Sequence, residues 1–523
     1  MSQAPQILRR LVTWIRCKAF WGYVATIGCL AVFARVFWIL SRPLIYNGVN
    51  YDEMFFLWGG WSITKGLVPY RDFQDFKPPV VFLLNAAAVA LFGVPRQRFH
   101  FFFAGLLFLA LAGLFVVLVR RGIGRALALL TTLAIAYFLL DPYFHDSSLD
   151  DAETIGLSFL LLGIVALLWE GRRIAAMDAI GGACCVLAVF SKEPYAVGVF
   201  ATWATLGLRR RDVLGPGTLK PYLRWTVTGA AIALLALVSY LAISGGLLPY
   251  VRLFGHYASF GNICERIGST PTLEAGKTAL PELWGRLTKH LLKLDYLGPL
   301  VPFFLAAGFG RRERLATRLA LAATILGSLY VLGLGRCYFR HYYILAMAGL
   351  VVWVIIGSLA LSDQLRAGPR RNNVFVVSLL ATLLIPSIGD RYEREQKKDY
   401  APSDFIGYGS NIPAEDIDFV TENSAPGDRI FTNGAPGLYV FTNRRHATRE
   451  SAFLDEFIEL YPGKTDEERV EPLRSQLIAN PPKVVVLDTH HLKRRNRHLN
   501  ALIRPFLKDL GYREVGPRYY IRP

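Results

Sequence analysis

Long apolar segments recur along the first 389 residues of this chain, and they constrain its fold more than any other feature. The chain has 523 residues, of which 53% are hydrophobic, and its mean hydropathy is +0.34. This composition is too apolar for an ordinary soluble domain, and the apolar residues are too many for one membrane anchor. We therefore expect a mainly α-helical, polytopic membrane protein with about eleven spans, near 19–41, 98–119, 124–140, 154–169, 174–190, 194–208, 223–245, 297–310, 315–333, 341–361 and 373–389.

One further apolar run, at residues 80–93, decides the topology. If this run lies at the membrane surface as a juxtamembrane helix, the basic clusters VRRGIGR, EGRR, LRRRD, GRRER and RAGPRR all fall on the side of the basic N-terminus. Loops rich in Lys and Arg stay in the cytoplasm, so we assign that side to the cytoplasm. The loops predicted on the outer side are 42–97, 141–153, 246–296 and 334–340, together with the C-terminal tail.

The composition changes sharply after the last apolar segment. Residues 390–523 are charged and contain the short β-type runs DRIFTN, LYVFTN and KVVVLD. These runs alternate with the helix-like stretches SAFLDEFIEL and DEERVEPLRSQLIA. The pattern predicts a small soluble α/β domain on the outer face, following a transmembrane domain over 1–389.

The charge and the cysteines exclude several classes of function. The net charge of +18 is accounted for by basic loops beside anionic lipid, and no nucleic-acid reader motif accompanies it. We therefore expect membrane lipids, and no nucleic acid, as partners. The six cysteines form no CxxC pair, which argues against a zinc or redox site.

The first outer loop concentrates charged and aromatic residues in the sequence NYDEMFFLWGGWSITKGLVPYRDFQDFKPP. Asp52 and Glu53 lie between Tyr51 and an aromatic run, where burial raises the pKa of a carboxylate and a nearby cation lowers it. Asp75 and Lys77 follow within the same loop. The loop therefore predicts a polar pocket with a catalytic base; the alternative is an interfacial loop whose acids only face water.

The second outer loop, DPYFHDSSLDDAET, is dense in carboxylates. Such oxygens suit magnesium or manganese, but they could equally orient the hydroxyls of an acceptor or cap the helix that follows. A cap explains Asp150 better, while a site role and a structural role both stay open for Asp151.

Several basic side chains are predicted outside, against the general charge trend. They are Lys192 in SKEPY, and Arg336, Arg340 and His341 in GRCYFRHYY. Each could simply extend from a helix end to the lipid headgroups. Together with Lys77 they indicate an anionic ligand, such as the phosphate of a lipid carrier, which arginine grips through two hydrogen bonds.

The motifs taken together resemble the GT-C glycosyltransferases. The similarity lies in an early outer-loop Asp, a KPP turn before a juxtamembrane helix, an LDDA turn before the fourth span, an RxxxRHYY turn and a soluble tail. The chain is most similar to the bacterial branch that contains the protein O-mannosyltransferases and the lipid A aminoarabinose transferase. This resemblance covers roughly residues 19–390.

The resemblance implies an inverting transfer of a sugar from a polyprenyl-phosphate carrier to an acceptor hydroxyl, at the outer face of the bacterial cytoplasmic membrane. It assigns the base to Asp52, with Glu53 able to share or replace that role, and a donor-phosphate contact to Lys77. Asp151 matches the acid of the second outer loop. The remaining expectations are Lys192, Arg336, Arg340 and His341 at the donor phosphate, and Tyr51, Asp75 and Asp150 near the sugar or acceptor.

The acceptor that the resemblance implies is a glycolipid, a glycan or a protein. No resident cofactor is expected, although a divalent cation stays open.

Two other classes of protein compete with this assignment. A lipid-linked sugar transporter would place charges inside its spans and show repeated halves, whereas here the charges gather in outer loops. A polysaccharide ligase or polymerase also uses a polyprenyl carrier, but depends on long outer loops late in the chain.

Overall fold

The first part of the chain is a bundle of helices. A computed structural model describes residues 18–46, 51–75, 77–94, 96–140, 149, 151–171, 173–259, 300–309, 318–327, 343–367, 370–396, 412–449, 465–487 and 495–523. The helices of the first part are α1 (Lys18–Tyr46), α2 (Tyr51–Thr64), α3 (Pro79–Phe92), α4 (Arg96–Arg120), α5 (Arg125–Leu139), α6 (Ala152–Leu167), α7 (Ile174–Val189), α8 (Tyr195–Leu214), α9 (Leu219–Ser244), α10 (Leu247–Ser259), α11 (Val301–Phe309), α12 (Arg318–Gly327), α13 (Tyr343–Ala367) and α14 (Arg370–Gln396).

Each of the eleven predicted apolar segments overlaps one of these helices. Among the described residues, four helices are long and apolar enough to cross a membrane: Phe20–Ile45, Arg98–Arg120, Pro216–Ser244 and Ala348–Arg366. Five shorter apolar helices are Pro79–Phe92, Arg125–Leu139, Ala152–Leu167, Ile174–Val189 and Arg318–Gly327. The helical, polytopic architecture predicted from the apolar segments is confirmed, while the number of spans and their sidedness stay predictions.

The segment predicted as the first outer loop, residues 42–97, keeps that name below, although its side of the membrane stays a prediction. Its acidic, aromatic part forms the helix α2 and is therefore more ordered than the sequence suggests. The predicted helix over 80–93 is α3, which begins where Pro79 occupies the first helical turn. The two helices pack closely: a Cβ atom on Gly60 would lie 2.5 Å from the backbone carbon of Asn85. Phe55 and Phe82 add an edge-to-face contact with ring centroids 5.7 Å apart. The start of α3 is therefore fixed on α2.

The C-terminal part contains a five-stranded sheet with helices. Its elements are α15 (Ala414–Asn423), β1 (Arg429–Thr432), α16 (Gly437–Thr442), β2 (Arg445–His446), α17 (Asp466–Ala479), β3 (Val484–Val486), α18 (Arg495–Asp509), β4 (Arg513–Gly516) and β5 (Tyr519–Ile521). The strand order is β2-β1-β3-β5-β4. Strand β1 is parallel to β2 and β3, and β5 is antiparallel to β3 and β4. The predicted α/β character of this part is confirmed.

One predicted strand is wrong. The run LYVFTN forms most of α16, whereas DRIFTN and KVVVLD contain β1 and β3 as predicted. Helix α16 starts after Pro436, whose φ of −61° suits a helix start, and ends at Asn443 in the left-handed region with φ 52°. Its residues are buried on nearly all sides, so the local β preference is overridden by packing. The stretch SAFLDEFIEL lies outside the described residues, and DEERVEPLRSQLIA is α17 with a capping box at Thr465.

The C-terminal part packs directly on the first outer loop. The indole ring of Trp58 on α2 lies 6.0 Å from the ring of Tyr439 and 5.3 Å from that of His446, measured between centroids. The backbone N–H of Gln74 donates to the carbonyl of Arg449 over 3.1 Å. The α2 helix is thus held by α3 on one side and by the C-terminal sheet region on another.

Candidate functional site

Two adjacent carboxylates in the first turn of α2 have different environments. Asp52 is half-buried, whereas Glu53 is 1% exposed. The Oε1 atom of Glu53 lies 2.5 Å from Nε2 of His100, which is buried in the first turns of α4. Both acids are at a helix N-terminus, where the helix dipole favours negative charge. Asp52 is therefore the carboxylate that a substrate can reach, and Glu53 joins α2 to α4. Tyr51 is the first residue of α2.

The turn that carries Lys77 is built around Tyr70. Tyr70 has φ 67°, a left-handed conformation that costs a non-glycine residue roughly 1–2 kcal/mol. The conformation is held because the buried Tyr70 hydroxyl donates to the carbonyl of Lys77 over 2.7 Å and its ring lies 4.7 Å from that of Tyr250. Burial raises the pKa of Tyr70 well above its usual value, and the nearby charge of Asp75 raises it further. Such strained backbone concentrates at functional sites.

The Lys77 turn is joined to the SKEPY segment that follows α7. The backbone N–H of Val80 donates to the carbonyl of Phe190 over 3.1 Å. Burial raises the pKa of Glu193, and the positive charges of Lys192 and Lys77 oppose that rise. Lys77 and Lys192 therefore both lie within electrostatic range of Glu193, and their shared role at a donor phosphate stays a prediction.

Lys192 has a carboxylate partner of its own. Its Nζ atom lies 2.9 Å from Oε1 of Glu153 in the first turn of α6, and both side chains are buried. The Tyr195 hydroxyl donates to the backbone carbonyl of Glu153 over 2.6 Å, which fixes this end of α6. Much of the charge of Lys192 is thus compensated within the protein, whereas Lys77 is half-exposed.

Asp151 occupies the N-cap position of α6 with extended backbone angles, but its side chain makes no capping hydrogen bond. It is 2% exposed, as is Asp75 in the first outer loop.

The remaining predicted site residues lie outside the described residues. They are Asp150, Arg336, Arg340 and His341. In the part of the chain that the structure describes, no group of three or more His, Cys, Asp or Glu side chains is arranged to hold a metal ion.

Two residues of this region were not singled out from the sequence. His100 lies in an apolar run 47 positions from Glu53, and only the packing of α2 on α4 brings them together. Glu193 directly follows Lys192 in the sequence, but its proximity to Lys77 depends on the contact between two distant turns. The position of a charged or titratable residue within or beside an apolar run was the one signal in the sequence that could have identified His100 and Glu193.

Comparisons with known proteins identify the fold. No family model and no curated protein sequence matches the chain. The crystal structure of ArnT from Cupriavidus metallidurans bound to undecaprenyl phosphate is similar at a TM-score of 0.60 and 11% sequence identity, over 96% of this chain and 97% of that chain. Its apo state matches at 0.54 and 13%, over 96% and 98%.

The oligosaccharyltransferase of Archaeoglobus fulgidus is also similar, at a TM-score of 0.44 and 14% identity, over 88% of this chain and 69% of that chain, a similarity too low to support an argument. ArnT has the GT-C fold, and its likeness to this chain extends over nearly the whole of both chains. The polytopic membrane fold of this chain, with its small C-terminal α/β part, is therefore the GT-C fold.

Proposed function

We propose that this protein is an inverting glycosyltransferase that moves a hexosyl or pentosyl group from a polyprenyl-phosphate carrier to an acceptor hydroxyl. The observation that carries the proposal is the unit formed by α2 and α3. This unit presents the reachable carboxylate of Asp52 and, just before α3, the half-exposed Lys77. This protein shares its fold with ArnT, which binds undecaprenyl phosphate in one structure, and that likeness supports a carrier of this type.

The reaction follows from the chemistry of these two groups. Asp52 accepts the proton of the acceptor hydroxyl while that oxygen forms a bond to the anomeric carbon. The bond from the anomeric carbon to the phosphate oxygen breaks on the opposite face, so the configuration inverts. The carrier phosphate leaves with the bonding electron pair, and Lys77 stabilises its growing negative charge. No acid is needed to protonate this leaving group, because phosphate is stable as an anion.

The other predicted residues take supporting roles in the proposal. Lys192, whose ammonium group is positioned by its partner Glu153, lies beside the phosphate site, and Arg336, Arg340 and His341 supply further positive charge. Tyr51, Asp75, Asp150 and Asp151 contact the sugar or the acceptor, and Glu53 supports Asp52. The enzyme works in the bacterial cytoplasmic membrane, with a transmembrane domain over 1–389 and an extracytoplasmic domain over 390–523.

The substitution Asp52→Asn tests the base, because it keeps the side-chain size and removes the proton acceptor. With full-length protein in nanodiscs and a polyprenyl-phosphate sugar as donor, we expect the rate of polyprenyl phosphate release to fall by about a hundredfold or more. The control is Asp418→Asn, an exposed acid on α15, which should leave the rate unchanged. Wild-type turnover by the Asp52 variant would rule out Asp52 as the base.

A further inference from the structure

A cleft of about 980 Å³ lies between the first outer loop and the C-terminal part of the chain. One wall comes from the end of α2 and the turn after it, within residues 61–74. The other wall comes from the start of β1, from β2 and the residues after it, and from α17. Neither Asp52 nor Lys77 lines the cleft, so it is separate from the proposed reaction centre.

The cleft is strongly cationic. Its lining includes the side chains of Lys65, Arg71, Arg429, Arg445 and Arg449. Among the described residues that line it, Asp72 is the one carboxylate, and it is bonded to Arg71 with N and O atoms 2.7 Å apart. Within the described residues, the three arginines of the C-terminal wall form no ion pair with an acid. Among the described residues, little negative charge therefore compensates the positive charge that faces the cleft.

Two of these guanidinium groups are held in place by backbone carbonyls, and the backbone of a third arginine is tied to α17. The Arg71 guanidinium donates to the carbonyl of Ser244 over 2.9 Å, and that of Arg429 donates to the carbonyl of His446 over 3.1 Å. The backbone N–H of Arg449 donates to the side-chain oxygen of Gln476 on α17 over 2.8 Å. A cleft whose side chains are already ordered binds an anion with less loss of conformational entropy.

We infer that this cleft binds a phosphate or carboxylate group carried by the acceptor. The part that names the acceptor rests on the proposed function, whereas the binding of an oxyanion does not. The basic side chains on both walls of the cleft would lose hydration against a hydrocarbon chain, so the cleft does not suit the apolar part of a carrier. Arginine and lysine side chains around one concave surface are the groups that recognise such oxyanions.

The position of the cleft also indicates the size of the acceptor. Lys65 directly follows α2, and Asp52 is near the start of that helix, so the two are about 20 Å apart along it. A ligand that reaches both must be extended. The inferred acceptor is therefore an oligosaccharide or a glycolipid head group whose negative charge lies about 20 Å from the hydroxyl that reacts.

The test measures binding of a fluorescent oligogalacturonide, a carboxylate-bearing glycan, to the full-length protein in phosphatidylcholine nanodiscs without donor. We expect salt-sensitive binding that the double substitution Arg445→Glu, Arg449→Glu weakens by about tenfold or more. The matched control Arg513→Glu, Arg522→Glu changes the net charge equally at two exposed residues that do not line the cleft, and should bind like wild type. Neutral maltoheptaose should not compete.

Each measurement distinguishes the proposed recognition of the acceptor from a different explanation of the binding. Equal weakening by both double variants, or competition by maltoheptaose, would overturn the inference, because the cleft charges would not be what is recognised. Displacement of the oligogalacturonide by phosphatidylglycerol added to the bilayer would also overturn it and would assign the cleft to lipid headgroups. The Asp52→Asn variant should bind the glycan normally, so a failure of the cleft is distinguishable from a failure of the proposed catalytic base.

Discussion

The carboxylates Asp52 and Glu53 are neighbours in sequence, yet they face different surroundings because successive residues of a helix point about 100° apart. Glu53 turns towards α4 and meets His100, whereas Asp52 stays reachable. A buried carboxylate that loses its hydrogen-bond partner costs about 1–3 kcal/mol or more. The pair between Glu53 and His100 therefore fixes the first turn of α2 and, with it, the direction of Asp52.

We expect His100→Ala to destabilise the protein and to lower transfer, because it leaves the buried Glu53 without the imidazole. His100→Gln is the matched variant, since its side-chain amide can donate from about the position of Nε2. The midpoint of thermal unfolding and the transfer rate should both fall in the Ala variant and recover in large part in the Gln variant. Equal behaviour of the two variants would show that the hydrogen bond to Glu53 is unimportant.

A second prediction at this scale concerns His446, which lies against Trp58. Burial lowers its pKa to about 4, with the charge of Arg429 acting in the same direction and that of Asp72 opposing it. In the unfolded chain His446 has a pKa near 6.5 and binds a proton below that pH, whereas in the folded chain it stays neutral until about pH 4. The free energy of unfolding therefore decreases as the pH falls from 6.5 towards 4. This loss amounts to about 3 kcal/mol and is complete below pH 4.

The measurement is the thermal midpoint of wild type and His446→Asn between pH 7 and pH 4. Asn cannot titrate, and its amide can replace the Nδ1 hydrogen bond to the carbonyl of Thr448. The variant should lose less stability than wild type over this range. Parallel curves for the two proteins would contradict the assignment.

At the scale of elements, the helices of the bundle were predictable because their apolar segments are long and separated by charged turns. Helix α2 was not, since its residues are apolar nearly all round and show no clear periodic pattern, and it was described only as part of a loop. LYVFTN was predicted as a strand from its β-branched and aromatic residues, but packing against α2 makes it helix α16. Ion pairs such as Lys192 with Glu153 join residues distant in sequence, so local patterns could not assign them.

The contact between α2 and α3 gives a prediction at the same scale. A Cβ atom at Gly60 would lie 2.5 Å from the Asn85 backbone carbon and 2.7 Å from the Ala86 nitrogen, so the two helices would have to separate. We expect Gly60→Ala to cost about 1–3 kcal/mol of stability and to lower transfer by moving Asp52 relative to Lys77. The control is Gly105→Ala in α4, where a Cβ atom meets nothing within 4 Å.

Thermal unfolding and transfer assays on both variants decide the matter. Gly105→Ala should be neutral or slightly stabilising, because alanine favours helix over glycine. Normal activity of Gly60→Ala would mean that the spacing between α2 and α3 does not position the reacting groups.

At the scale of the whole molecule, the C-terminal sheet region does more than extend from the membrane part, because it shares a hydrophobic core with the first outer loop. Buried residues of this shared core include Trp58 of α2 and Tyr439 of α16. A second, smaller core lies within the C-terminal part alone and contains Tyr512. The first core couples the C-terminal part to the helix that carries Asp52, whereas the second contributes only to the stability of that part.

The two cores predict different effects for matched substitutions. Tyr439→Leu removes the ring next to Trp58 and the hydroxyl that accepts a hydrogen bond from the N–H of Thr432. Tyr512→Leu removes a buried ring and a hydroxyl that donates to the carbonyl of Pro482, away from α2. Both should lower the stability of the C-terminal part. Only Tyr439→Leu should speed hydrogen exchange in residues 51–64 and lower transfer by roughly tenfold, because a shift of about 1 Å in a reacting group is costly. If Tyr512→Leu lowers transfer equally at equal loss of stability, the C-terminal part affects catalysis through folding alone, and the coupling through Trp58 is wrong.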